Sequence, residues 1–87
     1  MPPTIPSMPR FLLHHGHEPA ECGIAFAAWR GYASPLRHRA VVAGCRHGGH
    51  ELWWLVEAPG ADAALAQLPP WVAARTRAIR VTELPIP

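Results

Sequence analysis

Residues 51 to 57, ELWWLVE, string five apolar side chains between two glutamates, and no other stretch narrows the fold as much. A short run rich in Trp, Leu and Val reads as a strand, Glu51 to Glu57. In a strand Trp53 and Leu55 face one side while Leu52, Trp54 and Val56 face the other. Both faces of its sheet therefore need cover. Just upstream, Arg39 to Cys45, RAVVAGC, has the same character, and the turn Arg46-His47-Gly48-Gly49-His50 joins the two runs as a hairpin.

The remaining elements fall around this hairpin. Pro9 to His17 is a first strand, with Phe11, Leu13, His15 and His17 on one face and Leu12 and His14 on the other. Pro19 suits the first position of a helix, Glu21 favours its positive end, and AECGIAFAAWRGY continues it for about three turns. Gly31 and Ser34-Pro35 end it. Pro59 to Leu68 forms a second helix and Pro69-Pro70 breaks it. Trp71 to Arg75 adds a further turn, and Thr76 to Leu84 is a last strand.

The order βαββαβ predicts an α+β, ferredoxin-like domain over residues 9–87, with an antiparallel sheet of order 4-1-3-2 and both helices on one face. Residues 1–8, with three prolines and no periodicity, are expected to be a disordered lead. Two helices cover only one face, so the apolar third strand predicts a second copy on the other, a homodimer with sheets face to face. A chain of 87 residues has a thin stability margin alone, and 49% hydrophobic against 16% charged residues suits association.

Charge and hydropathy exclude several classes of partner. The formal charge is only +2, and its arginines are scattered, which gives nucleic-acid binding no footprint. No apolar stretch nears the ~18 residues of a membrane span, and the first residues lack the pattern of a signal peptide, so the expected location is the cytoplasm. There, Cys22 and Cys45 are thiols or metal ligands, with a single bridge between them as the alternative.

In this topology four chain positions share one end of the sheet: the end of strand one with His15 and His17, the helix start with Cys22, the end of strand two with Cys45, and the start of strand three with His50. Imidazole and thiolate together suit zinc, copper or nickel. The expected site is therefore His15, His17 and His50, completed by Cys22 or Cys45. Each residue also has a structural reading. Cys22 heads a stripe with Phe26 and Trp29, Cys45 ends an apolar strand, His47 is a solvated turn residue, and His14 and His38 belong to the surface or an interface. An enzyme is the competing expectation: Cys22 as a nucleophile at a helix start, or a histidine acting as acid or base on a small apolar molecule beside Trp29, Trp53 or Trp54.

Length, element order and the run LWWLVEAPGADAALAQL before a final strand resemble the dimeric α/β-barrel superfamily over about residues 10 to 84. Within it the chain is most similar to small bacterial proteins with a nickel-binding member, which also place histidine near the end of the first strand. The resemblance implies a ferredoxin-like dimer and metal binding, carried here by His15 and His17. Other members of the superfamily are cofactor-independent monooxygenases, isomerases, cyclases or dechlorinating enzymes that use the cavity between sheet and helices, so it equally implies an enzyme without a cofactor.

Overall fold

The computed structural model describes residues 8–87, so the lead expected over residues 1–8 lies, but for Met8, outside the described residues. Four strands and three short helices follow in the order β1 Arg10–Gly16, α1 Cys22–Ala27, β2 Val42–Ala43, β3 Glu51–Glu57, α2 Ala61–Leu65, α3 Pro70–Ala73 and β4 Thr76–Val81. Single 3-10 turns precede α1 (Pro19–Glu21) and β3 (Cys45–His47). The strands form one antiparallel sheet in the order β2-β3-β1-β4, which read from the β4 edge is 4-1-3-2.

Alternation decides which side of the sheet is dry. Phe11, Leu13 and His15 of β1 and Leu52, Trp54 and Val56 of β3 are buried on one face, where Ala58, Ala64, Leu68 and Val72 join them in the core. Trp29 and Trp71 pack against this cluster from outside. The strand register sets Leu12, Trp53, Leu55, Val42 and Ile79 together on the opposite face, and there the single chain leaves Leu55 52% and Val42 69% exposed. The expected burial of both faces of β3 thus holds within the chain for one face only.

Several elements are shorter than the residue pattern predicts, and each has a local cause. The helix expected to run three turns from Pro19 stops at Ala27, after which Trp29 and Arg30 donate to the carbonyls of Phe26 and Ala27, three residues back, and Gly31 leaves at a φ of +73°. The helix expected over Pro59 to Leu68 is regular only to Leu65, since Gln67 and Leu68 also bond three residues back before Pro69. Strand two, expected over Arg39 to Cys45, pairs only through Val42 and Ala43. On one side of it a turn closes with Arg39 donating to Leu36; on the other, Gly44 accepts from the Gly49 amide at 3.0 Å and curls the chain away from the ladder. β4 ends at Val81, not Leu84, because its partner β1 begins opposite, at Arg10.

Candidate metal centre

The end of the sheet carrying the hairpin gathers four donor side chains. Beyond Gly16 the β1–β3 ladder gains one more bond, the His17 amide donating to the His50 carbonyl at 3.2 Å, so the two histidines stand opposite each other. Pro19 then turns the chain back, and Glu18 and Glu21 form a capping box in which the Glu18 amide donates to the Glu21 carboxylate at 2.9 Å. That compact turn sets Cys22 over His17. On the other side the 3-10 turn holds Cys45, and Gly48, at a φ of +85°, reverses the chain toward His50 in a conformation a side chain would strain.

His17, Cys22, Cys45 and His50 bring one ligand atom each to within 4.8 Å of one another. His17 Nε2 lies 3.2 Å from Cys22 Sγ and 3.9 Å from Cys45 Sγ, and His50 Nδ1 lies 3.1 Å from Cys22 Sγ. A tetrahedral zinc with bonds of about 2.3 Å to sulfur and about 2.0–2.1 Å to nitrogen separates its ligand atoms by about 3.3–3.8 Å. Three of the separations lie close to those values, and the group can hold a metal ion. All four residues are partly buried, and both cysteines are free thiols.

His50 takes this place at a backbone cost. Its φ is +51°, in the left-handed region that a non-glycine residue enters at about 1–2 kcal/mol. In that conformation the imidazole Nδ1 lies against Cys22 Sγ.

His15, expected among the ligands, is not one of these four. It is fully buried, 0% exposed, one strand pleat deeper, beneath α3. Its Nδ1 faces the Val72 carbonyl at 3.2 Å and the Thr76 hydroxyl at 3.1 Å, and that hydroxyl itself donates to Val72 at 2.6 Å. A carbonyl only accepts, so the His15 proton sits on Nδ1. His15 Nε2 is then an acceptor, and at 3.0 Å from it His17 Nδ1 must donate. This leaves His17 Nε2 without a proton, aimed at the two sulfurs. The chain Val72, His15, His17 fixes the ligating tautomer in the way that second-layer groups orient metal-bound histidines.

The electrostatics agree. Burial, and next the neighbouring His17 ring, push the His15 pKa below 6.5, although the Val72 carbonyl works against this. Burial and the facing His50 ring lower His17 likewise. Both shifts favour the neutral imidazole, the form that His17 needs in order to ligate an ion. Burial, followed by the adjacent Cys45 thiol, raises the Cys22 pKa. A catalytic nucleophile at a helix start needs the opposite shift, so Cys22 lacks the lowered pKa of an activated thiol.

The other candidates lie elsewhere. His47 is exposed at the end of its turn, and His14 sits on the open sheet face, stacked on Trp53 with ring centroids 5.4 Å apart and bonded to Glu51 at 2.8 Å. Trp29 and Trp54 share the helix-covered side, 6.0 Å between centroids, while the sheet separates them from Trp53. No helix of the described residues is long and apolar enough to cross a membrane. The chain matches no protein-family profile, no curated protein and no solved structure. Fold and cluster together define a small α+β domain with a group of two histidines and two cysteines able to bind a metal ion.

Proposed function

We propose that this protein binds a transition metal ion, zinc in preference to copper or nickel, through His17, Cys22, Cys45 and His50, as an intracellular homodimer of the dimeric α/β-barrel type. The observation that carries the reading is the convergence of the four donor atoms within 4.8 Å, from three separate parts of the chain. A donor set of two sulfurs and two nitrogens favours zinc. Four protein ligands close the coordination shell, which makes the role binding or structural and not catalytic. His15 supports the site through His17 instead of ligating. The ion joins the end of β1, the start of α1 and the hairpin, and so adds stability that an 87-residue domain otherwise lacks.

Elemental analysis of untagged protein tests this. About one equivalent of zinc per chain is expected, lost in Cys22→Ser and Cys45→Ser. A protein that stays metal-free after incubation with zinc, copper and nickel in turn overturns it.

A further inference from the structure

A second site lies on the helix-covered side, away from the four metal-binding side chains. A cleft of about 290 Å³ opens between α1, the loop of residues 36–41 and β3. Its floor is apolar and partly aromatic, formed by Trp29, Trp54, Leu52 and Val41, and Phe26 stands at its mouth, 51% exposed. Its rim is different in kind. Arg30, Arg37 and Arg39 border the same opening.

Those three guanidinium groups are uncommitted. The ion pairs among the described residues use Arg10, His14 and Arg75, and none of the three rim arginines meets a carboxylate. Three of the chain's eight cations thus gather at one apolar opening without an acidic partner. Between two of them His38 adopts a φ of +68°, a left-handed conformation that a non-glycine residue holds only under constraint from its surroundings. It sets Arg37 and Arg39 on one short turn, closed by the Arg39 amide donating to the Leu36 carbonyl at 3.2 Å.

From this pairing of floor and rim we infer that the cleft binds a small aromatic carboxylate, its ring against Trp29 and Trp54 and its anionic group among Arg30, Arg37 and Arg39. Ring faces prefer the offset and tilted packing that Trp29 and Trp54 already adopt toward each other, with 46° between their planes. Guanidinium is the side-chain group best matched to a carboxylate, through paired parallel hydrogen bonds. The volume lies at the lower end of ligand pockets, about 300–1,000 Å³, which suits one or two fused rings and excludes a long acyl chain. The site is independent of the metal reading, because none of its lining residues is a proposed ligand.

Titration of the purified protein with 2-naphthoate and with its uncharged isostere 2-naphthamide, followed by the indole N–H resonances of the four tryptophans, tests the inference. Naphthoate is expected to move Trp29 and Trp54 and leave Trp53, on the other face of the sheet, unmoved. Naphthamide, and naphthoate with the rim double variant R37Q/R39Q, are expected to bind about tenfold more weakly, the loss of one charged hydrogen-bond set. Equal binding of acid and amide overturns the inference, as does unchanged affinity in the double variant. So does a response at Trp53 alone, or no response up to about 10 mM, beyond which affinity is too weak for a built site. Zinc content unchanged in R37Q/R39Q keeps a failure here distinct from a failure of the metal site.

Discussion

His17 and His50 face each other across the last rung of the β1–β3 ladder, backbone joined at 3.2 Å, and both present a ring nitrogen to the one sulfur of Cys22. Sheet pairing thus aligns two of the four donor side chains. Substituting a sulfur should then remove the metal without dismantling the sheet: Cys45→Ser is expected to lower zinc affinity at least about 100-fold while the circular dichroism of the metal-free protein stays unchanged. Competition with a chelating dye gives the affinity, and wild-type affinity in this variant would remove Cys45 from the site.

His15 should act differently from the four ligands. His15→Ala is expected to retain one equivalent of zinc but bind it about 10–100-fold more weakly, because the His17 tautomer is no longer fixed. Proton–nitrogen correlation spectra of the metal-free wild type should show His17 protonated on Nδ1, and the variant should show both tautomers. Since the vacated space lies under α3, the variant also loses about 2–4 kcal/mol of stability.

Stability of the metal-free protein should fall with pH in a window set by His15 and His17. Both have pKa values lowered from 6.5 in the fold. Above that value the folded and unfolded chains are equally neutral at these positions. Below it the unfolded chain takes up protons that the folded one refuses, so stability declines as pH falls. Urea midpoints with a chelator present are expected to drop from about pH 6.5 downward, with a shallower slope in His15→Gln. A flat profile in wild type would contradict the lowered pKa values of buried His15 and partly buried His17.

How much of this the sequence revealed depends on where each interaction is decided. The strand Glu51–Glu57 is fully legible, because a short apolar run rich in Trp, Leu and Val beside a glycine turn is local information. So is the shared face of His15 and His17. That the first is buried under α3 while the second joins the four-residue cluster is not legible, for it depends on α3 descending far enough to set the Val72 carbonyl against His15. The pattern PPWVAARTR shows a turn there but not its depth. The sequence likewise left Cys22 and Cys45 as alternatives, while the hairpin loop, by curling at Gly44, brings both. The short β2 was missed because Val41 and Val42 have strand character, whereas the turns on either side leave only two residues to pair.

The backbone strain at His50 gives a test of its own. His50→Gly and His50→Ala both remove a ligand and should lose zinc alike. They should differ in metal-free stability, because glycine enters the left-handed region without penalty and alanine does not. Glycine is expected to be the more stable by about 1 kcal/mol, less a part of that for its greater freedom when unfolded. Equal stabilities from chemical denaturation would mean that the turn relaxes in the variants and that the conformation is held by the histidine side chain itself.

The open face of the sheet yields the last expectation. Leu12, Trp53, Leu55 and Ile79 lie on neighbouring strands in register, a contiguous apolar surface in a protein that carries few charges elsewhere. Such a surface is stable in water chiefly when a copy covers it, and the two-fold pairing proposed above places Leu55 against its own equivalent region. Leu55→Glu buries a carboxylate in that interface but projects into solvent in the single chain, where Leu55 is half exposed. Sedimentation equilibrium should therefore report a dimer for the wild type and a folded monomer for Leu55→Glu. A wild type that sediments as a monomer would refute the pairing, and a variant that remains dimeric would move the interface to another surface.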